Sequence, residues 1–170
     1  NYTGIELDEF FVNTARKLYL DNDNFNIIQG KVEDNIEKFE DIDVIVSLET
    51  FEHIPEKNVV RIIEKISILN PKLFIISVPV EIGPAIILKN FGSFLCRYQR
   101  HKEYTFMETI WSCFEQLDKI PRHGTGHKGF NWKWLAQTVR HNMRIRQIKK
   151  FPFNFIPASF STSVFMVITK

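Results

Sequence analysis

Apolar positions along the chain fall into short continuous runs separated by stretches with helical spacing. Residues 2–7 predict a strand, and Asp8 then reads as a helix N-cap ahead of Phe11, Ala15, Leu18 and Tyr19. Residues 25–30 predict a second strand that closes on the turn residue Gly30. Residues 43–48 predict a third, whose unbroken apolar character suggests burial on both faces. Over residues 58–69, Val59, Ile62, Ile63, Ile66 and Leu69 share one helical face, and residues 72–78 form a fourth strand ended by Pro79. Strands that alternate with helices in this way predict a parallel sheet covered on both sides. Residues 81–118 break the alternation and read as a helical insertion. Residues 130–142 predict a further helix with Trp134, Leu135 and Val139 facing the core. Residues 144–151 and 163–169 alternate as two closing strands, antiparallel to each other. The expected fold class is α/β, a mostly parallel sheet with an antiparallel closing strand, in a single domain over 1–170.

Composition narrows this picture only a little. A chain of 170 residues with 44% hydrophobic and 25% charged residues can bury one real core. The 16 Phe point first to a Phe-heavy core and second to an apolar ligand surface. A formal net charge of +2 argues against nucleic acid as a partner. Cys96 and Cys113 lack CxxC spacing, which predicts a reduced pair and a cytoplasmic location. No apolar run reaches the ~18–20 residues that cross a bilayer. The chain opens on Asn1, almost inside a strand, and is expected to be a fragment.

Ligands of open parallel sheets bind at the carboxyl ends of the strands. The first strand ends in Gly4-Ile5-Glu6, where a carboxylate can accept from both hydroxyls of a ribose. The second ends in Gly30-Lys31-Val32-Glu33, an apolar side chain and a carboxylate suited to an adenine face and its amine. The third ends in Ser47-Leu48-Glu49-Thr50-Phe51-Glu52-His53, where two carboxylates and an imidazole crowd together. Such groups are costly to bury unless they are paired or used.

These motifs, in this order and continuing through Pro71 to Pro79, resemble class I S-adenosylmethionine-dependent methyltransferases. The resemblance implies a Rossmann-like sheet and S-adenosylmethionine as cofactor. By it, Glu6 binds the cofactor ribose, Val32 and Glu33 hold adenine, and Ser47, Leu48 and Glu49 lie near the methionine part. The family's first strand and glycine-rich loop have no match, so the domain reads as N-terminally truncated. Gly124-Thr125-Gly126 and Gly129 sit too late in the chain to substitute. The missing strand would lie between those ending at Glu6 and Glu49, leaving unpaired backbone groups there.

Methyl transfer asks the protein to position a nucleophile and take its proton. His53 is the candidate general base, oriented by Glu49 or Glu52, with no metal required. His127 could enter the same cleft from the far side. The acceptor expected on this reading is a small or lipid-linked molecule. A second reading takes Glu49-x-x-Glu52-His53 with distant His127 as similar to small-RNA 3'-terminal 2'-O-methyltransferases, in which two Glu and two His hold a divalent cation. A third is a non-catalytic methyltransferase-like module, and a fourth, weaker one is a dinucleotide oxidoreductase. Within the insertion, Ile86, Ile87, Leu88, Phe91, Phe94 and Leu95 lie beside Lys89, Arg97, Arg100 and Lys102. They suggest an amphipathic substrate lid, or alternatively a peripheral membrane contact.

Overall fold

A computed structural model describes residues 1–95, 104–121 and 127–169. Strand β1 (Tyr2–Glu6) pairs in parallel with β2 (Phe25–Gln29) through the crossover helix α1 (Glu9–Leu18). The Asp8 side chain accepts from the Phe10 amide at 2.8 Å, so the expected N-cap is present. Gly30 then turns the chain with φ +151° into a single-turn helix, α2 (Val32–Asn35).

Strand β3 (Val44–Leu48) leads through a 3₁₀ turn (Phe51–His53) into α3 (Glu56–Leu69), which Asn70 ends in the left-handed conformation at φ +49°. Strand β4 (Leu73–Pro79) follows, parallel to β3. The segment expected to be helical contains α4 (Ala85–Leu95) and α5 (Phe106–Cys113). Thr105 and Glu108 close a reciprocal capping box on α5. Helix α6 (Trp132–Asn142), β5 (Arg144–Phe151) and β6 (Ser163–Thr169) complete the chain. Strand β6 inserts between β4 and β5, antiparallel to both, as the closing pair predicted.

The core lies on one face of the sheet β3-β4-β6-β5. Phe74, Ile76 and Val78 of β4 stand in register with Ile168, Met166 and Val164 of β6. All six are at most 2% exposed and meet Val59, Ile62, Ile63 and Ile66 of α3 with Leu135 and Val139 of α6. Each such side chain contributes roughly 1.5–3 kcal/mol by leaving water.

The six strands form two sheets, β1-β2 and β3-β4-β6-β5; no ladder joins β1 to β3 among the described residues, in keeping with an unmatched strand between those ending at Glu6 and Glu49. One expectation changes: β3 is not buried on both faces, since Val44, Val46 and Leu48 are 51%, 56% and 57% exposed. These three alternate residues share the face opposite the core, and no described element covers them. An apolar run therefore does not by itself guarantee two covered faces. The two sheets are tied through α2 and α3, where the Glu33 carboxylate accepts from the Asn58 side-chain Nδ2 at 3.2 Å and its backbone carbonyl accepts from Arg61 at 2.6 Å.

Candidate functional site

The carboxyl ends of β3 and β4 carry the densest chemistry. Glu49 leaves β3 in the left-handed region at φ +49°. Its amide donates to the Ser77 carbonyl at 3.0 Å, and its carboxylate accepts from the Ser77 hydroxyl at 3.0 Å. That brace on β4 turns the chain sharply enough for the next 3₁₀ turn to drive Phe51 and Glu52 inward.

Glu52 is 1% exposed, and neither carboxylate oxygen makes a hydrogen bond among the described residues. One oxygen lies 3.8 Å from His53 Nε2 and 3.6 Å from His127 Nδ1. The two imidazole rings meet edge to face with centroids 5.0 Å apart. Burial, opposed by its own backbone amide and reinforced by the negative charges of Glu49 and Glu81, pushes the Glu52 carboxyl up to about 8. One ligand atom from each of Glu52, His53 and His127 fits within a 4.8 Å span, the spacing of a metal-binding set. A buried carboxylate without hydrogen bonds beside two imidazoles fits a divalent cation bound by mixed oxygen and nitrogen donors. Glu49 stands apart from this trio, its carboxylate engaged by Ser77.

His127 arrives from far along the chain, and a buried polar network holds its neighbours. Lys128 Nζ lies 2.8 Å from Glu108 of α5, with both side chains about 10% exposed. The Lys128 ammonium also sits 5.7 Å from the Tyr104 ring centroid. The Tyr104 hydroxyl donates to Glu81 at 3.3 Å and accepts from the Gly129 amide at 3.2 Å. Glu81, fully buried, is met by Lys89 Nζ at 3.5 Å. Lys128 and its hydrogen bond hold the Glu108 carboxyl below its ordinary value, helped by the Thr105 amide. Lys128 and Gly129 are thus held directly by Glu108 of α5 and by Tyr104 just before it, and through Tyr104 by Glu81 and Lys89. No motif in the sequence singles out Glu81, Tyr104, Glu108 or Lys128, since these partners lie 20 to 25 residues apart along the chain.

The other sequence candidates sit at strand ends as expected. One Glu6 oxygen accepts from the Asp8 amide at 2.9 Å, so this residue braces the β1–α1 turn. Val32 packs half-buried on the core, and Glu33 is tied to Asn58. Ser47 is half-buried and Leu48 exposed at the end of β3. In α4, Ile86 is buried while Ile87, Phe91 and Leu95 form an exposed stripe. Lys89 turns inward, donating to the carbonyls of Val80 and Thr162 at 2.6 and 3.0 Å, and so is not an outward lid charge. The side chains of Leu88 and Phe94, and Cys96, Arg97, Arg100, Lys102 and 124–126, lie outside what is described. Cys113 is a free thiol. No helix among the described residues is long and apolar enough to cross a membrane.

Residues 1–70 match the protein family described as "Methyltransferase domain". Similar solved structures include the small RNA methyltransferase HEN1, 18% identical with a TM-score of 0.62 over 99% of this chain and 20% of that one. The methyltransferase domain of bacterial CtHen1 is 16% identical, with a TM-score of 0.57 over 99% of this chain and 77% of its own. Magnesium protoporphyrin IX methyltransferase from Synechocystis PCC 6803, solved with bound SAH, is 11% identical with a TM-score of 0.57 over 99% and 63%. The chain thus spans about a fifth of the HEN1 chain it matches. No curated protein matches the sequence.

Proposed function

We propose that the chain is a class I S-adenosylmethionine-dependent methyltransferase that methylates a ribose hydroxyl at the 3' end of an RNA with the help of a divalent cation. The observation that carries this reading is Glu52, buried without hydrogen bonds against the His53 and His127 imidazoles. A carboxylate kept dry in this way is stabilised by a cation far better than by solvent. Glu52, His53 and His127 would hold the ion, and a turn of the Glu49 side chain away from Ser77 would add a fourth ligand. Such an ion, when bound, supplies Lewis acidity that makes a ribose hydroxyl a better nucleophile.

The protein's own groups do the rest by position. Glu6 keeps one oxygen for the cofactor ribose while the other braces the turn at Asp8. Val32 and Glu33 would flank its adenine, and Ser47, Leu48 and Glu49 would border its methionine end. The acceptor oxygen would attack the cofactor's methyl group in line, the new C–O bond forming as the S–CH3 bond breaks with its electron pair left on sulfur. The hydroxyl proton would pass to solvent, because the lone pair of His53 is committed to the ion on this reading. Two similar structures are described as Hen1 proteins, one of them a small RNA methyltransferase, which supports RNA as the acceptor class.

A second reading, an apolar or lipid-linked small acceptor, is favoured by the exposed Ile87, Phe91 and Leu95 stripe. Calorimetric titration of Mn2+, followed by methyl transfer to an oligoribonucleotide and to the same strand with a 2'-deoxy 3' end, separates the two. The RNA reading expects Mn2+ binding and loss of transfer to the deoxy end. Cofactor binding without Mn2+ binding, or equal transfer to both strands, overturns it.

A further inference from the structure

The net charge of +2 conceals a sharp division along the chain. All 20 acidic residues lie at or before Asp118, whereas ten of the 22 Lys and Arg lie after it. Residues 119–170 therefore carry no carboxylate side chain at all. Lys128 and Lys133 of this stretch are neutralised by Glu108 and Glu115 at 2.8 and 2.6 Å. Arg144, Arg146 and Lys149 are exposed along β5 and form no ion pair among the described residues.

Strand β5 is the sheet's edge and runs parallel to β4, so it climbs from the far end of the molecule toward the end that carries Glu52. Eight residues of strand span roughly 26 Å. At its top, Phe153 and Phe155 stack on each other with centroids 5.5 Å apart, yet are 55% and 84% exposed. This loop abuts the site's own backbone. The Val80 amide donates to the Thr162 carbonyl at 3.0 Å, and a Cβ on Gly83 would meet Ser159 at 2.7 Å. Glu81, between them, accepts from the Tyr104 hydroxyl at 3.3 Å, and that hydroxyl in turn accepts from Gly129, two residues after His127.

We propose that β5 and the Phe153–Phe155 pair form a track for single-stranded RNA, cations along the backbone and the aromatic pair stacking a base near the acceptor end. A cationic groove that ends in open aromatic faces is how single strands are held without sequence choice. This inference rests on the RNA reading of the site and names the surface that would deliver its substrate. Lysines on an edge strand also discourage edge-to-edge pairing, a role that predicts no effect on RNA.

The test uses an oligoribonucleotide carrying 2-aminopurine at its last two positions, titrated into the full chain with S-adenosylhomocysteine present. Wild type should quench the fluorescence. Phe153→Ala with Phe155→Ala should abolish the quench and weaken binding at least about tenfold. A Phe153→Leu, Phe155→Leu pair, which keeps apolar bulk, should lose the quench as well while leaving cofactor binding and Tm unchanged. Arg146→Gln with Lys149→Gln should weaken binding and flatten its salt dependence. Unchanged affinity and quench in these variants, with the terminal ribose still methylated, overturns the track but leaves the function standing. No RNA binding by a wild type that binds the cofactor overturns both. Loss of sedimentation with phosphatidylserine vesicles in the Phe variants, with RNA binding intact, makes the face a membrane contact and overturns the track.

Discussion

At the scale of single residues, the site is organised around one carboxyl group that burial has pushed up to about 8. Removing its charge tests its purpose: Glu52→Gln should weaken Mn2+ binding by more than about tenfold while cofactor affinity stays put. Calorimetry on the purified variant reads both, and equal Mn2+ affinity in wild type and variant sinks the assignment. Glu108 makes the opposite case, since Lys128 holds its carboxyl below the ordinary 4.5. A depressed acid contributes stability that is fully present above the unfolded value of 4.5. That contribution disappears as pH falls through the folded value, below 4.5. Glu108→Gln should cost on the order of 2–3 kcal/mol at neutral pH, as hydrogen bonds between charged groups do. Its Tm should then fall less steeply than wild type between pH 5 and pH 3, roughly the window in which an ordinary Glu titrates. Parallel Tm curves would show that the pair adds nothing. The same substitution should loosen Mn2+ binding a few-fold, because Lys128 holds the strand of chain that carries His127.

At the scale of elements, the two faces of the sheet should respond differently to substitution. Ile62→Ala in α3 removes a fully buried side chain from the core and should cost about 2–5 kcal/mol in denaturant unfolding. Val46→Thr, on a strand residue 56% exposed, should stay within about 0.5 kcal/mol of wild type. Similar losses at the two positions would mean that the outer face is covered. This asymmetry explains what the sequence made legible. Helical spacing in residues 58–69 and 130–142 and the alternation of the closing strands reflect local periodicity, which survives any tertiary arrangement. Burial of β3 on both faces depends on neighbours, and a continuous apolar run cannot report which neighbours are present. The site divides in the same way. Glu49, Glu52 and His53 were visible as a cluster within five residues of sequence, and His127 as a candidate from the far side. Glu81, Tyr104, Glu108 and Lys128 were not, because their meaning lies in contacts between α4, α5 and the loop before α6. Net charge is uninformative for a related reason. A sum over the chain of +2 erased a division between an acidic part and one without carboxylates.

At the scale of the molecule, the separation into two sheets has a mechanical consequence. Strands β4 and β6 sit inside the larger sheet and pair on both sides, while among the described residues β1 and β2 pair only with each other. Their crossover helix α1 buries a single residue, Val12, and exposes Phe10, Phe11 and Leu18 by 71%, 58% and 73%. Isolated two-stranded units have little stability of their own. What holds this one is its contact with α2 and the links from Glu33 to Asn58 and Arg61 of α3. The unit should therefore open without the rest of the fold, as a separate low-stability region. Native-state hydrogen exchange should find the amides of β1 and β2 exchanging at least about tenfold faster than those of β4 and β6, a gap of about 1.4 kcal/mol or more. Arg61→Ala should widen that gap without changing exchange in β4, since its contact with Glu33 bridges the two parts. The cofactor should close it, because Glu6, Val32 and Glu33 on the weaker part and Leu48 and Glu49 on the stronger one would contact the same molecule. Ligand that binds only the closed arrangement stabilises it by mass action. Equal protection of β1 and β4 without ligand would show that the two sheets move as one body, and that cofactor affinity is not limited by bringing them together.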